Sequence, residues 1–340
     1  MFMEDLLKIQ HRLVPDLIDK MYRRFNILST IEKKQPIGRR TLSDVMNITE
    51  RVLRTEIEIL KQQDLIRVQS TGMKLTETGE HTLASLSHYL TLYSSFNHLE
   101  DEIFNQYGVK VHIVRGNSDK DETVKAEMGN VTGELLEQSL YDKASVSVTG
   151  GSTMAKVSES LHPLDKDILF TPARGGLGEN VVFQANTICA SMANRTGGSY
   201  KVLYVPDQVS ESSYETLLKE PAVIEVLDAI RRSDFIIHGI GDALKMAERR
   251  KSSDEVLSQL KHHHAVGEAF GYYFNAKGEV VHRVKTIGLQ LEYLATKTNI
   301  FAVAGGASKA DAIKAYLEIA PKNTILVTDE SAAKAIINAE

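Results

Sequence analysis

The chain has 340 residues, 42% of them hydrophobic and 25% charged, with a formal net charge of −5 and one cysteine, Cys189. This length suits two domains or one large one, and the composition is that of a globular chain with a sizeable core. No apolar run reaches the roughly 18–20 residues that span a membrane, one thiol permits no internal disulfide, and the acidic first five residues precede no apolar block. A cytoplasmic protein with no membrane partner is therefore expected.

Charge is unevenly spread. Residues 1–90 hold 14 Lys and Arg against 12 Asp and Glu, and residues 91–340 hold 26 against 33. Residues 20–74 alone hold 12 against 6. A basic patch on an acidic chain marks a polyanion partner better than total charge does.

In chain order, Leu6, Ile9, Leu13, Leu17 and Met21 follow a helical period interrupted by Pro15, and residues 22–31 continue as helix. Pro36-Ile37-Gly38 breaks it. A short helix over 41–46 turns Leu42, Val45 and Met46 inward. Asn47-Ile48-Thr49 is a tight turn, with Ile48 plugging the core and Thr49 capping a second helix from Glu50 to about Gln63. That helix turns Val52, Leu53, Ile57 and Leu60 inward, leaving Arg51, Arg54, Thr55 and Lys61 outside the stripe. A hairpin over 65–76 completes a winged helix-turn-helix. Arg51, Arg54 and Thr55 are placed for base edges, and Arg39, Arg40, Lys61, Arg67 and Lys74 for phosphates. Residues 79–107 read as one long amphipathic segment, either a connector pairing with its twin in a dimer or a helix on the larger domain. The expected division is a DNA-binding domain over 1–90 and an effector and oligomerisation domain over 91–340.

From residue 109, strands alternate with helices. Strands are expected at 109–114, 145–149, 167–171, 201–205, 234–239, 300–304 and 324–327, and a hairpin turning at Lys277-Gly278. The pattern implies an α/β fold, a doubly wound, largely parallel sheet covered on both faces. Cys189, in a small and apolar helical stretch, is expected in the core.

Ligands of such sheets bind beyond the carboxyl ends of the strands. Four glycine-bearing strand ends share that rim. They are Gly150-Gly151-Ser152-Thr153, the loop from Ala173-Arg174-Gly175-Gly176 to Gly178, Gly239-Ile240-Gly241, and Gly305-Gly306-Ala307-Ser308-Lys309. Glycines admit an anion to the backbone, a following helix directs its free N–H groups at it, and Arg174 and Lys309 add cationic charge, so the rim reads as a phosphate cradle. Glu268 reads either as an acceptor for a sugar hydroxyl or as a surface carboxylate. Arg249 and Arg250 reach the pocket or cap a helix end. Gly239-Ile240-Gly241 lacks the third glycine of a dinucleotide fingerprint, and His262-His263-His264 lacks the partner spacing of a metal site. No metal or cofactor is expected.

Several longer stretches resemble the SorC/DeoR-type bacterial transcription regulators, most closely those that repress glycolytic operons. They are Pro36-Ile37-Gly38-Arg39-Arg40, Val148-Thr149-Gly150-Gly151, Pro172 to Glu179, Gln184 to Ala190, Glu268 to Ala276, and Val303 to Lys309, and the match runs nearly end to end. The resemblance implies a repressor responding to fructose 1,6-bisphosphate, an effector domain related to sugar-phosphate isomerases and deaminases, and a dimer or tetramer on an operator in double-stranded DNA. It implies phosphosugar contacts from Ser152, Thr153, Arg174, Gln184, Glu268, Lys309 and either Arg249 or Arg250. Ser152 stands where the family also uses threonine. The competing reading is a catalytic isomerase or deaminase with an appended DNA module. The deaminases place an Asp-Gly-His soon after a Gly-Ile-Gly strand end, whereas Asp242-Ala243-Leu244-Lys245 follows here without a histidine, which favours a sensor over an enzyme.

Overall fold

The computed structural model describes residues 15–46, 48–91, 96–176 and 180–338. The chain falls into two compact units, Met1–Asn97 and His98–Glu340. None of the described helices is long and apolar enough to cross a membrane.

The first unit runs α1 (Pro15–Lys34), α2 (Arg39–Met46), α3 (Glu50–Gln62), β1 (Ile66–Gln69), β2 (Gly72–Leu75) and α4 (Glu77–Thr91). Its core joins Ile27, Leu28 and Ile31 of α1 to Leu42, to Leu53, Ile57 and Leu60 of α3, and to Ile66, Met73 and Leu75 of the antiparallel hairpin, with Ile48 partly buried against them. Glu56, buried on the inner face of α3, accepts from Arg24 Nε at 2.8 Å and pairs with Arg23 at 3.5 Å. Two sequence expectations are corrected. Val45 and Val52 do not face the core but are 45% and 38% exposed. Leu53, Glu56, Ile57 and Leu60 already fill the buried arc of α3, which leaves Val52 on its shoulder. The expected continuous segment over 79–107 is two helices, α4 and α5 (Asn97–Tyr107), and residues 92–95 lie outside the described residues.

The second unit is built on a seven-stranded sheet. Its members are β3 (Lys110–Val114), β4 (Ser145–Val148), β5 (Leu169–Pro172), β6 (Ser199–Tyr200), β7 (Phe235–His238), β12 (Asn299–Val303) and β13 (Thr324–Asp329), ordered β3-β13-β12-β7-β4-β5-β6 with every pair parallel. The central strands are continuous apolar runs, as in Phe235-Ile236-Ile237, because both faces are buried. Helices α6 (Glu122–Ser139), α7 (Ser152–Ser160), α8 (Ala185–Thr196), α9 (Glu211–Leu217) and α10 (Pro221–Arg232) follow the strands up to β6. Cys189 of α8 is wholly buried, and burial pushes its thiol well above the ordinary range. From β4 the chain builds outward to β5 and β6, then returns to place β7 on the other side of β4. The sheet direction therefore switches between β4 and β7, where a crevice opens beyond the strand ends.

A separate antiparallel sheet, ordered β11-β10-β9-β8, comprises β8 (Gly241–Asp242), β9 (Ala265–Ala269), β10 (Tyr272–Asn275) and β11 (Val280–Arg283). The β10–β11 hairpin turns through Gly278, whose φ is +77°. Helices α11 (Ala243–Arg249) and α12 (Asp254–His262) precede β9, while α13 (Ala310–Ile319) and α14 (Glu330–Asn338) close the unit. Residues 201–205 do not form the expected strand. Leu203 instead exchanges both backbone hydrogen bonds with the Asn186 side-chain amide at 3.0 and 3.1 Å, and Val205 O accepts from Gly176 N at 2.9 Å. A side chain and a loop satisfy groups that a ladder would otherwise pair.

Candidate functional site

A cavity of about 220 Å³ lies beyond the carboxyl ends of the central strands. The β4 end supplies Thr149, Gly150, Gly151, Ser152 and Thr153, and the β5 end supplies Arg174, Gly175 and Gly176. Asn180, Phe183 and Gln184 close one side; Gly239, Ile240, Gly241 and Asp242 enter from β7 and β8; Lys245, Arg249, Glu268 and Lys309 complete the charged wall. Three glycine-bearing strand ends thus meet at one cavity, and the fourth reaches it through Lys309. Leu177, Gly178 and Glu179 of the second loop lie outside the described residues.

The turn into α7 explains its glycines. A Cβ on Gly150 would stand 2.6 Å from Phe183 O, and Gly151 holds φ +129° while its N–H donates to Phe183 O at 2.8 Å. No side chain caps α7 at Gly151. Its first-turn N–H groups therefore remain available at a wall lined by Ser152 and Thr153, an arrangement suited to an anion.

Cationic charge converges on the same cavity. Lys245 and Arg249, four residues apart on α11, share a helix face, and Lys309 closes the turn before α13. Burial, with the charges of Lys125, Lys245 and Arg249, depresses the Lys309 amine below its ordinary value against the opposing pull of Asp119. Asp119 accepts from Ser308 N at 2.9 Å and Ser308 Oγ at 2.7 Å. Burial works to raise its carboxyl, but those bonds and the charges of Lys309 and Lys245 hold it low. Behind it, buried Asp329 accepts from Gly306 N and Ser118 N, both at 2.7 Å, fixing the turn that carries Lys309.

A second charged cluster is buried. Arg174 Nε donates to Asp207 Oδ1 at 2.6 Å; Arg250 donates to Asp207 Oδ2 at 3.1 Å, to Glu268 Oε1 at 2.7 Å and to Tyr273 Oη at 2.8 Å. Glu268 also accepts from Gly271 N at 2.6 Å. Burial opposes the charge on Arg250, but Glu268 and Asp207 outweigh it and hold the guanidinium above its ordinary value. Arg174 Nη2 stands 2.5 Å from Asp207 Oδ1 without hydrogen-bond alignment, leaving a buried donor unsatisfied on a cavity-lining residue.

Two alternatives that the sequence leaves open are decided here. Arg250, with a side chain 1% exposed, is a brace behind Glu268, and of the two arginines it is Arg249 that lines the cavity. Glu268, at 3% exposure, is no surface carboxylate. His238, at the end of β7, is not on the cavity wall. It contacts Phe270 at 4.7 Å, and its Nε2 lies 2.8 Å from Tyr316 Oη. Burial lowers its pKa to about 4, against opposing pulls from Gly239 and Glu268, so the imidazole is neutral.

Comparison with known proteins adds a family to this geometry. Residues 93–338 match the family model of a sugar-binding domain, and residues 20–90 match that of the CggR N-terminal DNA binding domain. The chain is 47% identical to the central glycolytic genes regulator of Priestia megaterium across 98% of this chain and 99% of that one. It is 45% identical to the Bacillus subtilis regulator of the same name across 99% and 100%. The chain belongs to the central glycolytic genes regulators. A SorC family transcriptional regulator structure from Enterococcus faecalis shares 44% identity with a TM-score of 0.68, covering 71% of this chain and all of that one. Full-length SorC of Klebsiella pneumoniae, at 14% identity, shares the fold over 93% of this chain with a TM-score of 0.66.

As a member of this family, the chain is a DNA-binding and sugar-binding transcription regulator. In its DNA-binding unit, Arg39, Arg40, Arg51, Arg54, Thr55, Lys61, Arg67 and Lys74 are all exposed. Arg40 pairs loosely with Glu50 at 3.5 Å, and Thr55 Oγ1 donates to Arg51 O at 3.3 Å. His262, His263 and His264 lie exposed at the end of α12, and no group of metal-binding side chains occurs among the described residues.

Sequence reasoning missed Lys245, Asp119 and Asp207. The spacing of Lys245 to Arg249 directly after the Gly239–Gly241 strand end was a usable signal, because i and i+4 share a helix face. Asp119 and Asp207 sit in loops whose partners are 189 and 33 to 43 residues away, so no local pattern announces them.

Proposed function

We propose that the protein represses a glycolytic operon, that a phosphorylated sugar, fructose 1,6-bisphosphate in particular, binds the cavity, and that this binding alters operator affinity. The DNA-binding unit is a winged helix-turn-helix with α3 in the major groove. The α/β unit is a sensor on the scaffold of sugar-phosphate isomerases. The observation that carries the reading is the convergence of Lys245, Arg249 and Lys309 on a cavity that also holds the uncapped start of α7. Helix N–H groups, a partly buried lysine and guanidinium donors together suit a phosphoryl dianion.

A sensor fits better than an enzyme. Isomerisation needs a base free to take a proton near C1–C2 of the sugar. Of the cavity carboxylates, Glu268 is held by Arg250 and Gly271 N, and Asp242 caps α11 by accepting from Lys245 N at 2.9 Å. The ligand then acts by linkage, favouring one arrangement of a homo-oligomer over another by about 1–3 kcal/mol.

Thermal unfolding of the full-length protein tests this, using fructose 1,6-bisphosphate, fructose 6-phosphate, glucose 6-phosphate and inorganic phosphate. A ligand of the folded state raises the midpoint with its concentration. The expected result is the largest rise with the bisphosphate and a matching change in operator affinity. No rise with any sugar phosphate would sink the effector assignment, and turnover of one would sink the sensor reading.

A further inference from the structure

The DNA-binding face carries two apolar side chains that the basic residues do not explain. Val52, third residue of α3, is 38% exposed, and Val45 of α2 is 45% exposed. Valine is a poorer helix former than alanine, lysine or glutamate, so helix stability does not account for an exposed valine in a first turn. At 100° per residue, the buried arc of α3 is filled by Leu53, Glu56, Ile57 and Leu60. The opposite arc centres on Arg51 and Thr55, with Val52 on one shoulder and Arg54 and Lys61 on the other. Val52 and Thr55 are i, i+3 neighbours. The Thr55 hydroxyl donates to Arg51 O, which occupies its polar end and leaves its methyl as the remaining outward chemistry.

We infer that Val52, with the methyl of Thr55, is a specificity-determining contact for thymine 5-methyl groups in the major groove. The inference rests on α3 being the groove-reading helix, as proposed above. The partner is fixed by charge and by family: the outward arc beside Val52 carries the exposed Arg51, while Arg54 and Lys61 lie exposed on the far shoulder of the same helix, and residues 20–90 match a DNA-binding domain. Within a major groove lined by hydrogen-bonding edges, the thymine methyl is the apolar feature that an aliphatic side chain can recognise. A valine there rewards thymine over cytosine by burying methyl surface, whereas arginine and lysine contacts to phosphate hold every sequence alike.

The test uses the full-length protein and a duplex it selects from a randomised library. Each thymine is replaced singly by deoxyuridine, which removes only the methyl, and affinity is measured at several salt concentrations. Wild type should lose about threefold to fivefold affinity at one or two thymines per half-site, the worth of one buried methyl. Val52→Ala should bind the parent duplex more weakly by a similar factor, should respond little to deoxyuridine at those positions, and should keep the wild-type salt slope, since no phosphate contact is lost. Val52→Thr, which keeps the branched shape and one methyl, should retain most of the sensitivity and controls for folding. Insensitivity of the wild type to every thymine replacement, or full sensitivity retained in Val52→Ala, would overturn the inference while leaving DNA binding intact. If Arg51→Ala also left sequence preference unchanged, α3 would not be the reading helix, and the proposed docking would fall with it.

Discussion

Two clusters of charge serve the same cavity on opposite terms. Arg174, Arg250, Asp207 and Glu268 pair two cations with two carboxylates through bonds of 2.6 to 3.1 Å, almost wholly out of water. Lys245, Arg249 and Lys309 gather like charges, with Asp119 pulling against them, and the crowding registers in a depressed Lys309 amine. The first cluster balances its own charge and shapes the wall; under the proposed function the second gains most when an anion arrives. Arginine or lysine at a pocket is thus no single signal, because its carboxylate partners decide whether its charge is spent on the fold or held for a ligand.

The largest test of that difference is Arg250→Ala. It strands Asp207 and Glu268 in the interior, so unfolding by urea should show a loss of about 3–5 kcal/mol. An unchanged midpoint would mean that the network is not structural.

His238 shows a third way of placing a titratable group beside the cavity, buried and neutral. Its folded pKa of about 4 lies below the ordinary 6.5. As pH falls through that window the unfolded chain takes up the proton first, so stability is lost from about pH 6.5 down to about pH 4. Between pH 7 and pH 5 this residue should cost about 2 kcal/mol, read as the difference in pH slope between wild type and His238→Gln. Parallel slopes would contradict its burial as a neutral group.

Lys309→Ala and Lys245→Ala should leave the urea midpoint unchanged or slightly raised, since each removes like-charge repulsion. Calorimetry should show sugar-phosphate affinity falling by about tenfold to a hundredfold, the worth of one charge-assisted bond. A stability loss like that of Arg250→Ala would erase the distinction between the clusters.

The effect least tied to the cavity concerns Glu100 on α5, remote from both clusters. It accepts from Ile113 N at 2.8 Å, yet burial, aided by Asp101, outweighs that bond and raises its carboxyl to about 7. The unfolded group ionises near 4.5, so stability falls as pH rises through the interval up to about 7. Glu100→Gln keeps an acceptor without the charge and should stabilise the fold at pH 8, by at most about 3 kcal/mol, with little gain at pH 5. A gain of equal size at both pH values would exclude ionisation as the cause.

Much of the fold was legible because its patterns are local. The alternation of apolar runs and amphipathic segments foretold the α/β unit, and the expected strand over 109–114 is β3, Lys110–Val114. Local patterns misled where a surface has two claimants. Val45 and Val52 are apolar, so periodicity assigned them to the core, but the core of so small a unit was already filled by Leu42, Leu53, Ile57 and Leu60. Residues 201–205 look like a strand, and the amide of Asn186 satisfies backbone groups there instead.

For the site, the sequence determined the glycine-bearing strand ends. Their positions are fixed by the βα rhythm, and the close approach of Gly150 to Phe183 O tolerates no side chain. It also determined the basic, outward arc of α3, since helical spacing alone sets which residues share a face. Only the tertiary structure decided between Arg249 and Arg250, adjacent in sequence and separated by the 100° turn that sends one to the cavity and the other to Asp207 and Glu268. Only the fold recruited Asp119 and Asp207, whose partners are distant in the chain, because Coulomb attraction and hydrogen bonding act on proximity in space.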